Sequence, residues 1–142
     1  MQVGELALGI LISFVTIAMQ AVLTVLLGRS LQALSHRAVK ERSVPTLILV
    51  MCYAGGALTF GHFLQVGVWA TSYVVLGVAP LHDAYDLALQ NFTTLGYGDL
   101  LPANGWRLLA PITSANGLLL FGWSTAFLYT VLNRAAQALH LF

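Results

Sequence analysis

Charge is what this sequence most lacks. Only 8% of its 142 residues are Asp, Glu, Lys or Arg, against about 25% in an ordinary soluble domain. With 58% of the residues hydrophobic, a soluble globular domain is excluded and an integral membrane protein is expected. A single cysteine, Cys52, rules out any intrachain disulfide, and its apolar neighbours suit a small buried hydrophobe. There is no basic run of the kind that binds nucleic acid. No catalytic pair, metal-ligand cluster or phosphate loop is present either, so neither an enzyme nor a resident cofactor is expected. Internal repeats and low-complexity tracts are missing too.

The few charges divide the chain. Residues 6–27, 45–81 and 108–133 carry none, and each stretch is long enough to cross a bilayer core of about 30 Å as a helix. The expected spans are an N-terminal helix over 4–28, a second over 45–78 and a third over 106–134. The first lacks the positive leader of a signal peptide. The second is too long to stand upright, so it should tilt. Its Gly55, Gly56, Gly61 and Gly67 read as close helix packing. Arg29, Arg37, Lys40 and Arg42 make the segment after the first span the most basic part of the chain, which puts it in the cytoplasm. The N-terminus and the segment between the second and third spans are then outside, and the C-terminus is cytoplasmic. Trp69, Tyr73 and Trp106 would join an outer aromatic belt, with Tyr129 near the inner surface.

Between the second and third spans, "HDAYDLALQNFTT" has the apolar spacing of a short helix over 82–93. Asp83 can cap its start, and Asp86 suits the positive end of its dipole. Three turns cannot cross a bilayer, so this is a re-entrant helix, tolerated only where protein or water covers it. Its negative C-terminal end favours a cation. "TTLGYGD" follows at residues 93–99. Gly96 and Gly98 permit backbone angles closed to other residues, so successive carbonyls over 94–99 can face one way in an extended strand and line a pore with oxygen. The Thr94 hydroxyl adds an oxygen at the inner end. Tyr97 should point outward as a brace, and Asp99 should concentrate cations at the mouth. One chain supplies one such strand, so a closed ring needs several copies.

These residues resemble the selectivity-filter signature of the tetrameric potassium channels. The flanks are similar as well: a short helix before, Pro102 after, then an inner helix carrying a mid-helix glycine. The likeness, from residue 45 to about residue 133, is to bacterial two-helix pores; the N-terminal helix is an addition with no counterpart in them. It implies an all-α membrane protein, a C4 homotetramer in the bilayer of a bacterial inner membrane, with three transmembrane helices, a re-entrant pore helix and an extended filter per chain. It implies passive K+ conduction, with K+ the permeant ligand held at Thr94, Leu95, Gly96 and Tyr97, and Gly98 allowing the outer bend. Thr93 and Gln90 fall on filter-supporting positions, Gln90 where many members carry a glutamate. Asp86 and Leu87 stand where the family often has a tryptophan pair. Gly117 matches the family's inner-helix hinge after a one-residue gap, with Gly122 its rival. A non-selective or non-conducting relative, or a membrane structural or signalling protein, stays open, as does a regulatory partner subunit.

Two features fall outside the motif. Thr113, Asn116, Leu120, Ser124 and Phe127 recur at three- and four-residue spacing on the third span. That polar stripe suits the lining of a water-filled cavity below the filter, or hydrogen bonds between helices. His62 and Gln65 share a face of the second span, where a neutral histidine hydrogen-bonded to the pore helix is expected. The first span, without charges, should be a lipid-facing support for the second.

Overall fold

A computed structural model describes residues 2–41, 44–103 and 105–138, without the side chains of residues 2, 33–41, 135 and 138. It holds four helices, α1 Gln2–Glu41, α2 Val44–Val75, α3 Leu81–Phe92 and α4 Leu109–Ala138, and no strand among the described residues. Three of them, through Val3–Gln32, Val44–Val75 and Leu109–Arg134, are long and apolar enough to span a membrane. Phe14, Val22, Phe60 and Leu118 lie exposed along them, as side chains facing lipid do. The protein is an integral, multi-pass membrane protein.

The helix ends differ from expectation in several places. α4 starts at Leu109, not 106, after a turn with Gly105 at φ +105°, and it runs on to Ala138, past 134. Three further differences have local reasons. First, α1 continues past residue 28 to Glu41, so the basic segment is helix and not loop. No Gly or Pro interrupts residues 29–41, and Leu, Ala, Gln, Arg and Lys are strong helix formers. Arg42 lies outside the described residues. Second, α2 stops at Val75, three residues early. Gly77 sits at φ +70°, Val78 N–H reaches back to the Tyr73 carbonyl (2.8 Å), and Gly77 N–H to that of Val74 (3.1 Å). This left-handed cap satisfies the last carbonyls of the helix. Third, Pro80 takes the N-cap position of α3, without a side-chain cap, so Asp83 lies inside the first turn and does not cap.

Topology follows from contacts. Glu5 bonds Leu108, Thr16 bonds Asn116 and Gln20 bonds Ser124, so α1 and α4 run in the same direction. Gln65 bonds Gln20, while Tyr73 reaches Thr113 near the start of α4, so α2 runs against both. The 12-residue α3, about 18 Å long, packs on α2 and α4 and not on α1. Its core joins Val66, Trp69, Tyr73, Leu87, Phe92 and Leu120. A second cluster, Leu27, Leu31, Val50, Ala54 and Leu58, closes the opposite end.

Several placements depart from the sequence reading. Trp69 and Tyr73 are fully buried and form no surface belt, because each gives a hydrogen bond to α4. Cys52 is exposed on α2. Of the four glycines on α2, only Gly61 faces a neighbour closely, since a Cβ there would collide with Leu23; the others have open space.

The first helix is more than a lipid-facing support. Glu5, only 6% exposed, accepts the Leu108 N–H (3.1 Å) just before α4, next to the positive end of that helix dipole. Deeper in, a closed ring of hydrogen bonds ties three helices together. Gln65 Nε2 donates to Gln20 Oε1 (2.8 Å), and Gln20 Nε2 donates to Ser124 Oγ (2.9 Å). Ser124 then pairs with His62 Nε2 (2.9 Å), and His62 Nδ1 with Gln65 Oε1 (2.9 Å). With the amides oriented this way, the proton sits on His62 Nδ1 and every donor points round the ring in one sense, an arrangement in which each bond strengthens the next. His62 is thus bonded to α4 and its own helix, not to α3.

Candidate functional site

α3 ends with carbonyls that the following residues turn back to meet. Thr93 N–H reaches Leu89 O (2.9 Å) and Thr94 N–H reaches Asn91 O (3.0 Å). Leu95 N–H (2.9 Å) and Gly96 N–H (3.4 Å) both reach Gln90 O, and Tyr97 N–H reaches Gln90 Oε1 (3.3 Å). Consecutive amides therefore aim at one helix end. In a strand, alternate amides would face opposite ways. The segment is wound against α3 and forms no regular β-strand; its amides all turn to one side, as carbonyls facing one way require.

A trans peptide sets each carbonyl antiparallel to the N–H of the next residue. The carbonyls of Thr94, Leu95 and Gly96 accordingly face away from α3, on the exposed side of the segment. The winding needs unusual backbone. Positive φ occurs at alternate positions, Thr94 (62°), Gly96 (51°) and Gly98 (81°). Glycine accepts this freely, whereas a β-branched threonine there is strained. Threonine gives no sequence signal for that conformation, so the strain at Thr94 was not legible.

The supporting residues can now be placed. Gln90 is buried, its carbonyl and side-chain oxygen both take amides of the segment, and its Nε2 turns to Asp86 Oδ1 (3.4 Å). Thr93 Oγ1 donates to Leu89 O (2.8 Å) and closes the helix end. Leu87 is buried in the core of its own chain. Tyr97 is 74% exposed, so its ring is left largely unbraced by the described residues of its own chain. Asp99 is exposed and makes no ion pair or hydrogen bond among the described residues.

The polar stripe of α4 requires correction. Thr113, Asn116 and Leu120 are sealed inside the chain, and none of them borders the cavity between α2 and α4. Asn116 Oδ1 accepts from Thr16 Oγ1 (2.8 Å) and Trp69 Nε1 (3.0 Å), while its Nδ2 is buried without a partner among the described residues. Indole only donates, so the amide oxygen must face Trp69. The stripe is the hydrogen-bonding face toward α1 and α2. Thr16, Gln20 and Thr24, four residues apart on an apolar helix, were the sequence signal for it. Ser124 borders a cavity of about 610 Å3 between α2 and α4 and beneath Thr93 and Leu95. Thr125 and Leu128 line it as well. Gly117 is set inside the continuous helix α4, where a Cβ would collide with the Phe92 carbonyl, so the glycine serves close packing of α4 on the end of α3.

No curated protein and no solved structure matches this chain. A family described as ion channel matches residues 46–134, which hold most of α2, α3, the wound segment and most of α4. That match spans more than half of the chain, and the protein belongs to this ion-channel family.

Proposed function

We propose that this ion channel is selective for potassium and that four copies enclose its pore. The observation that carries the reading is the run of amides turned onto the end of α3, with the carbonyls of Thr94, Leu95 and Gly96 left on the free side. Carbonyl oxygens ringed around an axis replace the hydration shell of a dehydrated cation. The Tyr97 carbonyl and the Thr94 hydroxyl extend the stack, Gly98 turns the chain outward, and Asp99 draws cations to the mouth. A single chain contributes one edge of such a ring, and cyclic symmetry closes it. The bare Tyr97 ring supports assembly, since a large ring left uncovered by the described residues of its own chain suits packing against another copy. The negative end of α3 points to the same place and favours a cation.

In this reading α3 is re-entrant, the basic end of α1 is cytoplasmic, and the N-terminus and the wound segment are outside, in a bacterial inner membrane. The cavity beneath Thr93 and Leu95 belongs to the water-filled vestibule, entered past Thr125 and Leu128. One observation favours a second reading, a cation pore without selectivity. Leu87 is held in its own core, so it cannot brace a neighbour's Tyr97. Counting subunits in the purified protein and measuring rubidium and sodium uptake into liposomes separates the two. Four subunits with uptake of rubidium alone is the expected result, and equal uptake of both ions supports the second reading.

A further inference from the structure

The end of α3 is held from two sides by groups that lie off the carbonyl-bearing segment. Asn91 Nδ2 donates to Tyr73 Oη (3.2 Å) on α2, and Tyr73 Oη pairs with Thr113 Oγ1 (2.7 Å) on α4. Thr113 Oγ1 donates to the Leu109 carbonyl (2.8 Å), which can only accept. Each hydroxyl has one proton, so the chain runs in one direction, from Asn91 through Tyr73 and Thr113 to the backbone of α4. Tyr73 and Thr113 are completely buried. On its other side Asn91 is held by its backbone, where Ser114 Oγ donates to the Asn91 carbonyl (2.7 Å). That same carbonyl accepts the Thr94 N–H (3.0 Å).

Asn91 is therefore clamped by α2 through its side chain and by α4 through its carbonyl, and the clamped carbonyl sets the position of Thr94. Thr94 is also the strained residue, at φ +62°. A β-branched residue stays in that region only where its surroundings over-determine it. The clamp supplies that constraint.

We infer that Tyr73, Asn91 and Ser114 are positioning residues that set ion discrimination by fixing the Thr93–Thr94 peptide, and with it the strained backbone of Thr94 at the base of the carbonyl run. The inference rests on the filter reading. It assigns a brace to the chain's own outer and inner helices; Leu87 offers none to the segment, and Asp86 reaches it only through Gln90.

The test uses the full-length protein in liposomes. Tyr73→Phe removes one hydroxyl and keeps the ring, and Ser114→Ala removes the other contact. Each should lower the potassium-to-sodium permeability ratio by about three- to tenfold, which is what one hydrogen bond is worth. Tyr73→Phe combined with Asn91→Leu should lower it no further than either alone, because both break the same chain. Gln20→Leu, which breaks the ring farther down the bundle, should lower the melting temperature and leave the ratio unchanged. Melting is read in potassium and in sodium. Positioning variants should lose part of the extra stability that potassium confers, whereas a merely structural loss shifts both curves equally. Tyr73→Phe and Ser114→Ala proteins with the wild-type ratio, or with equal melting shifts in both ions, would overturn the inference. A wild type without selectivity would sink the filter reading itself, and this role with it.

Discussion

Gly117 and Gly122 lie on the same helix and make different demands. A Cβ at Gly117 meets the Phe92 carbonyl, while one at Gly122 meets nothing within 4 Å. Gly117→Ala must push α4 off the end of α3, an overpacking cost of about 1–3 kcal/mol. Gly122→Ala should be neutral or gain up to about 1 kcal/mol from helix propensity. Thermal melts of the two variants check this, and a destabilised Gly122→Ala with an unaffected Gly117→Ala would return the special role to Gly122. Gly98 makes a conformational demand, at φ +81°. Gly98→Ala should cost about 1–3 kcal/mol in each chain. The expected outcome is a protein that inserts but loses selective current, recorded in planar bilayers. Unchanged selective current would make Gly98 an ordinary turn residue.

Among the elements, α1 stands out because the family match begins only at residue 46. It is bound to the channel helices by Glu5, Thr16 and Gln20. In the bilayer core a hydrogen bond between helices is worth about 1–2 kcal/mol at most, since the unpacked helix finds other partners. Gln20→Leu leaves Gln65 Nε2 and Ser124 Oγ each short of a bond. It should lower the melting temperature in detergent, and an unchanged melt would mean the ring contributes nothing to holding α1. The spans and the short α3 could be read from the sequence, because charge marks membrane edges and period marks a helical face. Helix ends were less legible. Gly77 ends α2 through its backbone angle, and the basic segment stays helical because no residue in it breaks a helix. The stripe on α4 was visible as a face, but periodicity does not say what the face meets. Thr16 and Gln20 on α1 meet it, and this long-range pairing turned a supposed vestibule lining into an interior seam. In the wound segment the glycines announced their angles, while the strained Thr94 and its Asn91 clamp depended on contacts from two other helices.

For the whole molecule, the position of charge decides what can drive gating. A voltage sensor needs charges that move across the field, each worth about 2.3 kcal/mol per 100 mV. Residues 6–27, 45–81 and 108–133 hold no charged side chain. Open probability should therefore vary only weakly with voltage, and single-channel recording over a wide range checks it. A steep rise equivalent to several gating charges would show that a charged element moves through the field. The central claim, that backbone carbonyls of Thr94, Leu95, Gly96 and Tyr97 select potassium, is tested most directly by the reversal potential of the purified protein with potassium on one side of a bilayer and sodium on the other. The account predicts a reversal potential far from zero, with the sign that potassium permeation demands. A reversal potential at zero, from a conducting tetramer, would contradict it.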